Sequence, residues 1–484
     1  MTEALDTGPL NDRLPVHPNS AAPAGRTWSV ATILFGTILV AAIFGIVGMS
    51  IEPQPASALP SFARQTGQPC ATCHTAFPEL TAYGRRFKLM GYTVGGGDSK
   101  LPPVAVMLQP TFTHTAKGWD SAFEGGPPGP GLSNNDNLVL EQASAFYGGQ
   151  IYGNLGAFVQ TTYDGVANTV NLDNTDIRYA DTTKLFGQDA IWGITVNNNP
   201  TVQDVWNTTP AWGLPYISSS IAPEFSPPGT MIEGGFAAQV AGAGGYVFWN
   251  DMLYVELSGY QTLSAQMLKA LGEGLGNGIS GVAPYWRVAL EQAWGKNDLM
   301  VGTFGMAADV LPGGITGYGA DHYLDVGVDA QYQYSGDMNS FTVMISNIWE
   351  QQKLDSSFAQ TISNNPTNWL SSFKVSGDWV YDHTYSLMAG LFDVSGSADP
   401  GLYAANASGG PMGNGRPDGR GLMFDAAYLP FSHGGPSFWP WANARIGVSY
   451  TTYLKLYGGT TNFDGNGHNA HDNDTLLAYA WIMF

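Results

Sequence analysis

Basic residues are scarce in this chain. Across 484 residues, 19 lysines and arginines face 39 aspartates and glutamates, a net charge of −20 with histidine neutral. Nucleic acid is excluded as a partner, because a polyanion is held through Lys and Arg; cations are the visitors such a surface favours. Cysteine is scarcer still. With only Cys70 and Cys73, no disulfide framework can brace the fold, and any thiol chemistry must be local. Charged residues of both signs make up only 12%, and long hydrophobic runs are missing from all but one place. Mean hydropathy nevertheless lies close to zero. Apolar and polar residues must therefore be finely interleaved, and interleaving at period two is strand behaviour.

The one long apolar run is Trp28 to Ile51, which follows Arg26 and a polar leader and would just span a bilayer. Pro53, Pro55 and the small-x-small pattern Ala56-Ser57-Ala58 come next, a signal-peptidase site before Leu59. Residues 1–58 are read as a signal peptide with a long polar leader. The mature chain is then expected to begin near Leu59, outside the inner membrane. An uncleaved inner-membrane anchor carrying a β-rich periplasmic cytochrome is the alternative.

Both cysteines fall in Cys70-Ala71-Thr72-Cys73-His74, the C-x-x-C-H pattern of covalent haem attachment. Two thiols three positions apart on one helical turn reach the two vinyl groups of one porphyrin, which leaves the adjacent imidazole under the iron. His74 is thus the expected proximal ligand of one haem c. A thioredoxin-like pair would follow a strand in a βαβ unit, and a zinc site would need more thiols or imidazoles nearby; neither context is present. The distal ligand is open. Residues 75 to 92 are expected to turn helical after Pro78, with Phe77, Leu80, Tyr83, Phe87 and Met90 on one face. Met90 is the candidate distal ligand if the chain reverses at Gly84 or Gly91, with Met107 and His114 as rivals. Between Leu59 and the first strand lie only about 45 residues, too few for an independent core. This 59–103 segment must borrow burial from the rest of the protein.

From residue 104 to 484 the pattern is that of an antiparallel barrel. In Leu324 to Tyr334, apolar or aromatic residues at 324, 326, 328, 330, 332 and 334 alternate with Asp325, Gly327, Asp329, Gln331 and Gln333. About sixteen strands are expected, beginning near 104, 138, 155, 174, 188, 236, 252, 284, 298, 322, 339, 368, 384, 420, 443 and 474. Long segments follow the first, fifth, seventh, eleventh, thirteenth and fifteenth strands, and short turns follow the even ones. That asymmetry, an even strand number and a last strand ending in Phe484 predict an all-β transmembrane barrel in the outer membrane of a Gram-negative cell. The 59–103 segment would form a small helical plug in the barrel or at its periplasmic mouth. A soluble sandwich would also alternate, so the loop pattern carries this reading. The stretch Pro200 to Pro228 is read as loop stiffening or lumen packing. His468, His471, Asp472 and Asp474, before the last strand, form a candidate transient cation site or simply a solvated loop.

The run Leu59-Pro60-Ser61-Phe62-Ala63-Arg64-Gln65-Thr66-Gly67, the haem motif, Phe77-Pro78-Glu79-Leu80 and Gly84-Arg85-Arg86-Phe87-Lys88, set before a barrel, resemble the fused monohaem cytochrome-porins. The best-known members of that family oxidise extracellular Fe(II). The specific similarity covers the haem segment; the barrel matches in architecture alone. The resemblance implies that Cys70, Cys73 and His74 hold the haem, that an extracellular donor such as Fe(II) supplies electrons, and that a periplasmic carrier receives them. A diffusion porin with a structural haem segment is the competing function.

Overall fold

Between Asp321 and Ser335 the alternation has a sign that decides the solvent. Asp325 and Asp329 are 0% and 3% exposed, whereas Val326 and Val328 between and beside them are 37% and 43% exposed. Water would select the reverse. A sheet that hides carboxylates and presents valines is stable where the surrounding solvent is hydrocarbon. The protein is a membrane-spanning β-barrel.

The structure, a computed structural model, describes residues 59–95, 102–119, 129, 131–222, 227–274, 276–403, 415–434 and 441–484. The expected signal segment, 1–58, lies outside the described residues. Sixteen strands form the wall: β1 Val104–Thr115, β2 Asn137–Tyr152, β3 Leu155–Asp164, β4 Thr169–Leu185, β5 Gln188–Asn197, β6 Val240–Trp249, β7 Leu253–Thr262, β8 Ala283–Trp294, β9 Asn297–Leu311, β10 Asp321–Ser335, β11 Asn339–Lys353, β12 Thr367–Tyr381, β13 Tyr385–Gly396, β14 Gly419–Tyr428, β15 Asn443–Lys455 and β16 Thr475–Met483. Each pairs antiparallel with the next, and the two-residue strand Gly278–Ile279 adds to the end of β9. β1 closes on β16 in a register running from Met107↔Met483 to Thr115↔Thr475, so no edge is left to pair with another chain.

Short turns gather at the end where β1 starts and β16 stops, which makes it the periplasmic end. Tyr381, Tyr385 and Tyr428 project outward at this rim, and Trp349 and Trp369 do so toward the other, as aromatic girdles at two interfaces. No helix among the described residues is long and apolar enough to cross a membrane; the strands make the crossing.

Two of the expected strand starts shift by several residues. β4 begins at 169 rather than 174 because its polar first residues pair with β3 beyond the apolar band, from Thr161↔Leu172 to Asp164↔Thr169. β6 begins at 240 rather than 236 because Phe236 is buried among lumen residues of the preceding loop. The segment 429–442 follows an even-numbered strand and is nonetheless long.

Two segments fill the lumen. One is the N-terminal plug, with helices α1 Pro60–Thr66, α2 Cys70–Cys73 and α3 Ala82–Leu89. The other is the described part of the β5–β6 loop, 198–222 and 227–239, in which Thr201, Val202 and Trp206 are buried, so this part of the Pro-dotted stretch does serve lumen packing. The walls meet this loop with paired charges. Arg287 reaches Asp329 at 2.8 Å and Asp204 of the loop at 3.2 Å, all three fully enclosed. Buried charges persist only when paired in this way.

Candidate functional site

The haem motif is shaped by its own backbone. Cys70–Cys73 makes a single helical turn, closed by the His74 amide donating to the Cys70 carbonyl at 2.8 Å. The chain then doubles back, with His74 bridging to Leu80 as an antiparallel pair. Thr81 fastens this reversal: its amide donates to the Cys73 carbonyl, its hydroxyl to the Thr72 carbonyl, and it caps α3 by accepting from the Gly84 amide. Gly84 is required, since a Cβ there would lie 2.2 Å from the Cys73 carbonyl oxygen. The helix expected to begin after Pro78 therefore starts only at Ala82, and Phe77 and Leu80 belong to the reversal.

Barrel residues hold the turn in place. The Cys70 thiol accepts from Asn443 Nδ2 at 3.2 Å, the Ala71 amide donates to the Ser432 carbonyl, and His383 Nδ1 lies 3.1 Å from the Thr75 carbonyl. Ser432 belongs to the long 429–442 segment, which explains why that periplasmic connection is not a tight turn. Farther along the plug, Arg85 reaches Glu291 at 2.9 Å and Asp298 at 2.8 Å on the wall. Lys88 donates to the Val202 and Asp204 carbonyls at 2.8 and 2.6 Å and rests on the Trp212 ring. Plug and inner loop are thereby latched together.

Cys73 and His74 open onto a cavity of about 710 Å³ between the plug, the inner loop and the wall. This size is within the range of cofactor sites. Its wall near the motif is apolar. Met107, Phe146, Phe158 and Met483 are buried in one cluster with Phe87 and Tyr92 of the plug. Phe77 bridges the motif to this wall, edge-on to His74 at 5.4 Å and to Trp481 at 4.5 Å. Farther from the motif the cavity is bordered by Glu141, Asp164, Asp173 and Glu273, of which Asp164 ends β3 on the extracellular side.

Electrostatics keep the motif in its neutral forms. Burial pushes the Cys73 thiol up to about 12 and the Cys70 thiol well above its usual value, with the Cys73 charge adding to the latter. Burial also lowers His74 to about 4, against the backbone hydrogen bonds that favour its charged form. The ring is therefore a neutral imidazole. His74 Nδ1 lies 3.2 Å from the Glu79 carbonyl; as donor there, it fixes the tautomer that leaves Nε2 for a metal. Glu79 itself is pushed up by burial while Thr75 and Tyr216 donate to its carboxyl group. Two thiols on one turn, with Cys73 on the cavity and Cys70 behind it against Asn443, a neutral imidazole with an anchored Nδ1, and an apolar wall nearby are the parts a c-type haem uses. The residues fit that group.

Of the residues expected to act, Cys70, Cys73 and His74 lie together. Met90 caps the far end of α3 and packs on a different cluster, that of Leu89, Trp206 and Tyr246; it does not border the cavity. Met107 does. His114 is at the extracellular end of β1, exposed and paired with Asp136, remote from the motif. In the loop before β16, His468 is buried against Asp464, His471 lies by Asp474, and Asp472 caps Asn469. These side chains do not converge, and no group of three or more metal-ligating side chains occurs among the described residues. Met483 and Trp481 were missed by the sequence reading. A signal existed: Leu477, Tyr479, Trp481 and Met483 face inward while Leu476, Ala478, Ala480 and Ile482 occupy the other face, so the last strand does not alternate in polarity.

No family model and no curated protein matches the chain. Among solved structures it is similar to a loop-deletion mutant of OmpT, an outer membrane protein of Vibrio cholerae, at 10% identity and a TM-score of 0.40, covering 79% of this chain and 98% of that one. It is similar to the outer membrane channel DcaP of Acinetobacter baumannii at 11% identity and 0.41, covering 79% and 96%. It is also similar to an anion-selective porin from Comamonas acidovorans at 9% identity and 0.40, covering 78% and 98%.

Proposed function

We propose that this outer-membrane barrel is an electron conduit, passing electrons from an extracellular donor, Fe(II) by default, to a periplasmic carrier through one haem c. The observation that carries the reading is that Cys73 and His74 border a lumen cavity whose wall beside them is apolar, built from Phe87, Met107, Phe146, Phe158 and Met483. A haem bound there supplies one-electron redox chemistry. Cys70 and Cys73 tether it, His74 ligates from the proximal side, and the Glu79 carbonyl holds the imidazole in orientation. Phe77, Phe87, Phe146 and Phe158 exclude water from that side, which raises the energetic weight of every nearby charge. The acidic border toward the extracellular mouth suits a cationic reductant.

Purified protein from cells competent in haem attachment is the test. Haem is expected to stay with the polypeptide on a denaturing gel, and its α band to rise on mixing with Fe(II). A colourless mature protein overturns the reading; a loaded haem that Fe(II) leaves oxidised removes Fe(II) as donor. A second reading, a diffusion porin with a structural haem segment, is favoured by another cavity of about 730 Å³ across the inner loop, bordered by Ser372, Ser376, Ser449 and Thr451 as well as Met344, Phe392 and Met423. Rapid swelling of liposomes in small sugars supports that function.

A further inference from the structure

Haem iron takes axial ligands from a short menu of imidazole, thiolate, thioether and phenolate. The cavity offers few of these beyond the motif itself. Among the described residues that border it, His74 is the one histidine and Cys73 the one cysteine. Tyr92 and Tyr216 are committed elsewhere, donating to Asp176 at 2.6 Å and to Glu79 at 3.1 Å, and burial holds both phenols well above their usual range. Two thioethers remain, Met107 and Met483.

Their placement is specific. Met107 on β1 and Met483 on β16 are direct cross-strand partners where the first and last strands close the barrel. Both are buried in the same cluster as Phe77, the ring that touches His74. Other methionines also face inward, Met300 and Met306 among them, but they pack in different clusters; among the described residues, the seam pair alone brings thioethers to the border of this cavity. Trp481 Nε1 donates to the Met107 sulfur at 2.6 Å, and Gln109 Nε2 lies 3.6 Å from the same atom. The Met483 sulfur makes no hydrogen bond among the described residues, which makes it the more available of the two.

We propose that the distal ligand of the haem is a thioether of this seam pair, Met483 first with Met107 as its neighbour, so that the plug supplies one axial ligand and the barrel wall the other. The inference rests on the haem reading above. A thioether opposite imidazole raises the reduction potential, which suits a site that must accept electrons from a weak reductant.

The test uses full-length mature protein in detergent, with haem content measured by the pyridine haemochrome assay. Spectra are compared for wild type, Met483→Leu, Met107→Leu, the double variant and Met90→Leu. Leucine is close to isosteric with methionine, so the barrel is retained, and heat-modifiable migration on gels verifies it. Wild type is expected to show the far-red sulfur-to-iron charge-transfer band and, when reduced, a strongly upfield-shifted methionine methyl resonance. Met483→Leu should remove both signals and lower the midpoint potential at unchanged haem content. If Met107→Leu or only the double variant does so, the seam assignment still holds. Persistence of the signals in the double variant, their loss in Met90→Leu, or their absence from loaded wild type overturns it. Wild type without covalent haem takes down the cofactor reading and this assignment together, whereas a loaded haem lacking the band overturns the ligand alone.

Discussion

On one side of the lumen, β4, β7, β8 and β10 turn Asp176, Arg178, Glu256, Arg287 and Asp329 inward, with Met300, Phe304 and Met306 of β9 among them; over the cavity, β1 to β3 and β16 turn Met107, Phe146, Phe158 and Met483 inward. Both walls enclose the same lumen, and both are buried. The charged wall is tolerable because each guanidinium meets carboxylates, as Arg178 meets Asp176 at 2.8 Å and Arg287 meets Asp329 at the same distance. The apolar wall needs no such pairing, but in a water-filled channel it would be an unfavourable surface. The difference teaches that the lumen is not a uniform polar passage. One sector, next to Cys73 and His74, is lined by apolar side chains.

On the proposed function, removing the two thiols should have the largest effect. Cys70→Ala with Cys73→Ala is expected to abolish covalent haem while leaving a folded barrel, seen as loss of haem staining with heat-modifiable migration retained. On the charged wall, Arg287→Ala strands Asp204 and Asp329 in the interior and should cost about 3–5 kcal/mol, read as a lower unfolding midpoint in denaturant. On the apolar wall, Phe158→Ala opens a void beside Tyr92 and Trp212 and should cost about 3 kcal/mol in the same assay. An effect equal to that of Arg287→Ala would mean that the two walls carry stability alike.

The smallest effect is expected at Lys88, where the walls meet through the inner loop. Lys88→Met removes one buried amine that makes two hydrogen bonds and should cost about 1–2 kcal/mol near neutral pH. Burial holds this ammonium down to about 7, below its ordinary 10.5. Between those values the unfolded chain keeps a proton that the folded chain has released, so the stability of the native protein should rise with pH from 7 toward 10.5. Lys88→Met should flatten that slope, as measured by denaturant titrations at several pH values.

The barrel was legible because period two survives wherever one face meets lipid and the other meets a polar lumen, as from Leu324 to Tyr334. The single turn of Cys70 to Cys73 with His74 beside it was legible because a C-x-x-C-H spacing places those three side chains together. The cavity wall was not. Phe146 and Phe158 lie on strands whose facing depends on register, and register is set by pairing between distant segments. Met90 drew attention because it falls on the apolar face of a helix near His74 in sequence, yet α3 carries it away from the motif toward Trp206. The inner loop was recognisable as packing, but nothing local indicates that Trp206 would reach Glu291 or that Lys88 would find the Val202 carbonyl.

The plug consists of helices of seven, four and eight residues, each too short to persist by itself in water. What orders them is contact with strands that lie later in the chain, including Asn443 near its end. The earliest described stretch to leave the ribosome thus depends for its shape on strands made later, so a truncation that removes Asn443 and the strand after it should unsettle the plug as well as the barrel closure.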